Sequence, residues 1–393
     1  MRIAIVGLGT SGATLACLLA DAGIDVTVVE QADDPRPVGA GLWLQELGQQ
    51  VLDRLDLLTP LRAVSRPVRR VHMTARGRTI VDLGYDALPG SKPALGVRRG
   101  DLFALLLSEV RRRGVPLRLG VPVTGVRPTP SGIAVETAHG DLGSFDLVVG
   151  ADGSRSAVRR SMNVTSRDRP YAYGALWAVV EDPDGSSTDT LFQGLGADTS
   201  TYLGVLPTGR SSASLFWSVH TRDLQVRAGD LDAWRAVAAP YAGPHTGLLD
   251  RVTELLPASY RDVVVRSPFR VEGRCGAVLV GDSAHAMSPQ LGVGTSLALA
   301  DAWTLGHALA GDADLPRALA TYARRRAAHV RWYQWTTRLM MPAFQSDLHP
   351  VAWPRDHLAR PLTRTPGVAP VLVGVLCGDR TTPFTRWHLP DGA

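Results

Sequence analysis

Residues that could carry chemistry gather at three places in the 393-residue chain, each directly after a short apolar run. The first is Gly7-Leu8-Gly9-Thr10-Ser11-Gly12, which follows Ile3-Ala4-Ile5-Val6. In such a spacing Gly7 permits a sharp turn, Gly9 lets the main chain approach a pyrophosphate, and Gly12 lets a helix lie close to a sheet. The free N–H groups at the start of that helix favour phosphates. Glu30, eighteen positions beyond Gly12, can accept both hydroxyls of a ribose. This is the chemistry of a dinucleotide site, and the motif alone leaves FAD and NAD(P) equally open. The second place is Gly150-Ala151-Asp152-Gly153, where Asp152 faces the positive end of a helix expected over residues 154–160. The third runs from Gly281-Asp282 to Pro289-Gln290-Leu291-Gly292-Val293-Gly294. There an aspartate leaves a strand, and Gly292 and Gly294 offer N–H groups to a developing negative charge just before a helix. His285 lies inside this loop and is expected to make a structural hydrogen bond rather than to act as a base. The residue types name no catalytic acid or base and no metal cluster.

These sites need strands behind them and helices after them, and the patterning supplies both. Residues 2–6 and 25–29 are runs of β-branched residues, and Ala13, Leu15, Ala16, Leu18 and Leu19 repeat at helical spacing. Gly39-Ala40-Gly41 marks another close approach of main chain. Residues 46–57 read as a helix, and residues 68–83 as a strand pair turning at Arg76-Gly77. Asp101 is the expected N-cap of a helix over 102–112, which sets Arg99 just ahead of it, placed to pair with a phosphate or a ribityl hydroxyl. Strands are expected at 115–119, 121–127, 133–138 and 145–149. From Tyr171 to Arg270 the character changes to strands at 175–180, 190–192, 201–206 and 213–219, then helices at 231–239 and 248–255. That is a mostly antiparallel sheet inserted as a second domain. Its strands carry the candidate substrate contacts Gln193, Tyr202 and Trp217. A strand at 277–280 and a helix at 297–309 return to the first domain, and a long helix over 316–341 closes it, with Trp332, Trp335 and Leu339 on one face. The tail from Pro342 is proline-rich, with one apolar helix near 368–376. The boundaries expected are 1–170 with 271–345 for the nucleotide-binding domain, including a β segment around 62–97, then 171–270 for the substrate domain and 346–393 for the tail.

Composition narrows the function classes. Apolar residues at 45% and charged ones at 20% describe a globular enzyme-like chain. Arg and Lys exceed Asp and Glu by 42 to 37, but Lys92 is the only lysine and the arginines are scattered, so no nucleic acid is expected as a partner. Cys17, Cys275 and Cys377 are far apart and odd in number, which fits a reducing compartment. The apolar stretch at 368–377 is shorter than the roughly 20 residues that cross a bilayer. A cytoplasmic enzyme acting on a small molecule follows, with no membrane partner.

The three sites in this order, G-L-G-T-S-G, G-A-D-G-S-R-S-A-V-R and G-D-S-A-H-A-M-S-P-Q-L-G-V-G-T-S-L-A-L-A-D-A, together resemble the class A FAD-dependent monooxygenases, the para-hydroxybenzoate hydroxylase-like family. The resemblance runs from Met1 to about Phe344. It implies an α/β architecture: a Rossmann-like FAD-binding domain (GR2-type flavoprotein) with an inserted, mostly antiparallel β-sheet substrate domain and a C-terminal helical segment. Carried over at matching positions, Gly7, Gly9 and Gly12 hold the pyrophosphate, Glu30 the adenosine ribose, Arg99 the ribityl and phosphate region, and Asp152 sits by the pyrophosphate. Asp282 binds the ribityl chain, and Pro289, Gly292 and Gly294 flank the isoalloxazine. The resemblance also implies NAD(P)H as co-substrate, a C4a-hydroperoxide formed from reduced flavin and O2, and transfer of its distal oxygen to an electron-rich substrate. A monomer or homodimer is expected. Val293 and Ser296 stand where the family loop usually reads G-Q-G-x-N, which keeps the main-chain donors and changes the side chains. A flavin halogenase lacks its W-x-W-x-I-P signature here. A C=C reductase of the same fold and a non-catalytic flavin sensor remain as alternatives.

Overall fold

The computed structural model describes residues 1–35, 40–164 and 166–391, so Gly39 lies outside the described residues. Runs of β-branched residues with no polar alternation are suited to strands buried on both faces. Four of them pair in parallel: β1 (Arg2–Val6), β2 (Asp25–Val29), β3 (Leu147–Gly150) and β4 (Cys275–Leu279). The six-stranded sheet runs Phe269–Glu272, β4, β3, β1, β2, Leu117–Arg118, and its first strand alone is antiparallel. β1, β3 and β4 therefore lie side by side although 277 positions of sequence separate their extremes, Arg2 and Leu279. All three chemistry-bearing loops leave the carboxyl ends of adjacent parallel strands, where open α/β sheets bind ligands.

The second sheet has seven strands, in the order Leu256–Ala258, Tyr173–Glu181, Ser212–His220, Tyr202–Thr208, Thr190–Leu195, Arg70–Ala75, Arg78–Gly84. Every pairing is antiparallel except that of Thr190–Leu195 with Arg70–Ala75. The hairpin turning at Arg76-Gly77, expected within the nucleotide-binding half, thus completes the inserted sheet. Its register sets Gln193, Gly204, Phe216 and Trp177 in one row across four strands. Because successive side chains alternate faces, Leu203, Leu215, Trp217 and Val219 turn the other way and pack against Trp234 and Leu248.

Several local expectations are corrected. Residues 145–149 are not one strand: Phe145 ends a strand of a separate three-stranded sheet, and Asp146 breaks the run, its carboxylate accepting from Arg2 N at 2.7 Å. Asp101 is not an N-cap. The helix begins at Arg99 and runs to Arg112, and Asp101, inside its first turn, pairs with Arg98 at 2.9 Å. Residues 250–255 are not helical, since that helix is only Thr246–Leu249. The tail holds a second helix, Ala352–Arg364, beside the expected Val368–Leu376; its Pro361 disguised it. Of the three residues on the long closing helix Leu315–Phe344, Trp335 and Leu339 are exposed. No helix among the described residues is long and apolar enough to cross a membrane.

A buried ion cluster ties the third loop to the helices behind it. The Asp301 carboxylate is fully buried and accepts from Gly281 N at 2.7 Å, His285 Nε2 at 2.5 Å and Arg326 Nε at 2.6 Å. Burial by itself would raise this carboxyl, but His285 and Arg326 hold it well below the usual carboxylate range. With the folded-state pKa below the unfolded one, the stabilisation is complete above the ordinary value and is lost only as pH falls through the lowered one. Asp301→Asn, measured by urea unfolding at neutral pH, is expected to cost about 3–5 kcal/mol, the scale for breaking a buried pair. A loss within the noise of that method would mean the cluster does not hold the loop.

Candidate active site

The first loop is built on two main-chain crowding constraints. Gly7 has φ +103°, and a Cβ there would stand 2.5 Å from the carbonyl oxygen of Ala151, at the exit of β3. At Gly12 a Cβ would come within 2.0 Å of the Gly7 carbonyl oxygen. Both positions therefore admit only glycine if strand, turn and helix (Thr10–Asp21) are to close together. Gly9 differs. Its φ of −70° suits any residue, and nothing lies within 4 Å of where its Cβ would be. Open space above the helix N-terminus is what a pyrophosphate needs.

The second and third loops are bolted to each other and to the first. Asp152 accepts from Ala157 N at 2.7 Å and Val158 N at 3.2 Å, capping the short helix Ala157–Ser161, while its Oδ1 is buried without a partner. The buried Arg159 donates to the carbonyls of Ser154 and Ser283 and to Asp168, each at 2.7 Å. Ser283 Oγ donates to the Gly150 carbonyl at 2.5 Å. Arg159 and Ser283 lie inside the second and third motifs, but neither could be given a role there, since each depends on a partner more than 100 positions away. Glu30 is turned onto the first loop, accepting from Leu8 N at 2.8 Å and Ala32 N at 3.0 Å.

A cavity of about 530 Å³ joins these loops to the seven-stranded sheet. Gly9, Arg99, Asp282, Pro289, Gly292 and Gly294 line one part of it, with Gly153 beside them, and Gln193 and Tyr202 line the sheet side. Gly7, Gly12, Glu30 and Asp152 stand behind the lining and shape the loops. Trp217 does not reach the cavity. It sits on the opposite face in the core, its ring 5.7 Å from that of Tyr241, and its neighbour Phe216 takes the cavity face. The sequence could not choose between the two faces, because both carry large apolar residues. Trp43, Trp177, Tyr260 and Ser288 also line the cavity and were not singled out there as cavity residues. Tyr260 follows a three-residue strand with no periodic pattern to flag it. A larger hollow of about 780 Å³ lies around Phe192 and His245 and touches none of the three loops.

His285 meets its expectation: it is buried and hydrogen-bonded to Asp301. Ser296, at the position of departure from the family loop, is fully buried with its hydroxyl unpartnered, and Val293 is 2% exposed. The third loop nevertheless keeps its main-chain shape. Gly292 is left-handed at φ +61°, where a Cβ would stand 2.7 Å from the Trp43 ring, and Gly294 opens the helix Gly294–Gly311 onto free space.

These features fit FAD. The cradle above Gly9 is open, Gly294 lets the cofactor ring approach the main chain closely, and the buried Ser288 hydroxyl on the cavity wall has no partner within the protein. A parallel sheet with three loops at its carboxyl edge, beside an inserted antiparallel sheet, is the frame of an FAD-dependent oxidoreductase of two-sheet design. Comparison with known proteins agrees. The family model described as the FAD binding domain matches residues 1–334. The chain is 31% identical to aurachin C monooxygenase/isomerase of Stigmatella aurantiaca, over 82% of this chain and 84% of that one. It is 30% identical to 3-hydroxybenzoate 6-hydroxylase of Klebsiella oxytoca, over 86% and 88%. In fold it matches the structure of Klebsiella pneumoniae HpxO complexed with FAD and uric acid, with TM-score 0.80 and 23% identity over 96% of each chain. The chain belongs to this FAD-binding family, the class A flavoprotein monooxygenases, in which NAD(P)H is the usual electron donor.

Gly9 and Gly12 separate folding from cofactor binding. Gly9→Val is expected to fold with nearly unchanged thermal stability and to lose FAD, read from the ratio of flavin to protein absorbance. Gly12→Val is expected to lose about 3 kcal/mol or more from main-chain overpacking. If Gly9→Val retains its full complement of flavin, the pyrophosphate does not lie at this turn.

Proposed function

We propose that the protein inserts one atom of O2 into an electron-rich aromatic or polycyclic small molecule held between the flavin loops and the seven-stranded sheet. The observation that carries this reading is the single cavity lined by Gly9, Asp282 and Gly294 at one end and by Gln193 and Tyr202 at the other. The balance is substrate-H + O2 + NAD(P)H + H⁺ giving substrate-OH, H2O and NAD(P)⁺, with a ring C–H replaced by C–OH. FAD, when bound, takes the hydride from NAD(P)H and supplies the activated oxygen. The protein's own residues position and dry the site. We assign Gly7, Gly9 and Gly12 to the pyrophosphate turn, Glu30 to the adenosine ribose, Arg99 to the phosphate and ribityl region, and Asp282 to the ribityl chain. Pro289, Gly292 and Gly294 flank the ring, and Asp152 acts by capping the helix that closes the second loop. The names of the relatives, a monooxygenase and a hydroxylase, support oxygenation over halogenation, C=C reduction or flavin sensing.

The division of labour proposed is a cofactor part at 1–170 and 271–345, a substrate part at 171–270 joined by the 70–84 hairpin, and a tail from 346. The free cysteines Cys17, Cys275 and Cys377 support a cytoplasmic setting, and we read the enzyme as a monomer or homodimer. Two outcomes are expected. The purified protein is yellow, bleached by NAD(P)H without air and recoloured on aeration, and isotopically labelled dioxygen delivers one labelled atom to product; unlabelled product would sink the oxygenase reading. Asp282→Ala is expected to weaken FAD about tenfold to a hundredfold, the scale of a lost hydrogen bond to a charged group, as measured by flavin fluorescence on titration.

A further inference from the structure

Among the described residues lining the cavity, the charged side chains are Arg99 and Asp282; both are assigned to the cofactor above, although Arg99 also acts electrostatically on the Tyr260 phenol. The sheet end is an aromatic box. Trp177 meets Phe216 edge-on with ring centroids 4.8 Å apart, and Tyr202 lies 4.7 Å from Phe216. Leu191, Leu206 and Leu256 complete the walls. In the middle of the floor, between Gln193 and Phe216 in register, stands Gly204. A Cβ there would meet Phe216 Cβ at 3.7 Å and Gln193 Cγ at 3.9 Å, ordinary contacts, so no crowding demands a glycine at this position. Its missing side chain leaves a slot in that row of side chains.

The polar groups in the box are neutral donors. Tyr260 Oη accepts from Trp177 Nε1 at 2.8 Å, which frees its own proton to donate elsewhere. Tyr202 is 4% exposed and lies close enough to Tyr260 for the two phenols to act on each other. Burial raises both phenols, so each keeps its proton across the physiological range. The Gln193 amide, half-buried in the same row, both donates and accepts. A hydroxyl or carbonyl oxygen on a ring finds complementary donors here. With Arg99 engaged by the cofactor, a carboxylate here would lose its water without gaining a cation, which strongly disfavours the charged form.

We propose that this cavity selects flat aromatic substrates that carry no carboxylate, holding a ring hydroxyl or carbonyl oxygen against the hydroxyls of Tyr202 and Tyr260 over the slot at Gly204. The inference rests on the reading that FAD occupies the Gly9 to Gly294 end and thereby engages Arg99. It departs from the hydroxybenzoate named for one relative, an aromatic acid.

The test uses the FAD-loaded enzyme, first checked for bleaching by NAD(P)H, and titrates naphthol and the hydroxynaphthoate of the same ring while the flavin absorbance is followed. Naphthol is expected to bind about a hundredfold more tightly, the scale set by an unpaired buried charge. Tyr202→Phe is expected to weaken naphthol about tenfold, one lost hydrogen bond, with FAD content retained. Gln193→Arg is expected to bring the acid to within about tenfold of naphthol by supplying the missing cation. Equal binding of the two ligands by the unaltered enzyme, or an unaltered naphthol affinity in Tyr202→Phe, overturns the inference. Failure of NAD(P)H to bleach the flavin would instead overturn the oxygenase reading on which it stands.

Discussion

Everything in this molecule depends on how closely three pieces of main chain approach one another at the end of the parallel sheet. The Gly12 Cα sits so near the Gly7 carbonyl that a single methyl group would collide with it, and Gly7 in turn faces the carbonyl of Ala151. Interiors at crystal-like density transmit such crowding without relief. The turn is therefore fixed by packing before any cofactor arrives, and the open space left at Gly9 is a by-product of that closure. The cofactor site is preorganised because its frame cannot relax.

The frame is extended by polar contacts that are buried and fully directional. Ser283 and Arg159 fasten the third loop to the second, and Asp301 fastens the third loop to the helices that follow it. Arg326 carries the same cluster onward. It donates to His329, whose imidazole burial holds well below its ordinary pKa; neutral, the ring accepts at Nδ1 and donates through Nε2 to the Gly378 carbonyl at 2.7 Å. His329 also stacks on Trp387, with ring centroids 4.5 Å apart. The tail is thus packed into the body of the protein rather than an appendage: Leu389 joins the core cluster that holds Leu47 and Trp303, and Cys377 joins another with Val68 and Leu83.

In the function proposed, the inserted sheet contributes selection instead of grip. Its alternation gives one face to the cavity and the other to a helical cover, so a single strand serves chemistry and stability at once. Phe216 and Trp217 are adjacent in sequence and lie on opposite faces. The pairing of Thr190–Leu195 with the early hairpin ties that sheet into the first part of the chain, which steadies the row of Gln193, Gly204, Phe216 and Trp177 against the flavin loops.

By itself the sequence determined the local events: strands where β-branched residues run together, a turn wherever glycine is forced, and an acidic residue at the exit of a strand. Those features are short-range, and each is readable from a window of a dozen residues; the cofactor and the enzyme family came from the resemblance carried by three such motifs in order along the chain. Only the tertiary structure decided which faces and which distant partners count. It placed Tyr202 on the cavity and Trp217 away from it, brought Tyr260 and Trp177 together, recruited residues 70–84 into the inserted sheet, and made Arg159 and Asp301 the fasteners of the loops. Strand parity and long-range pairing are set by register across the whole sheet, and a two-residue period with large apolar side chains on both faces carries no mark of which face will be buried against a helix and which will hold a ligand.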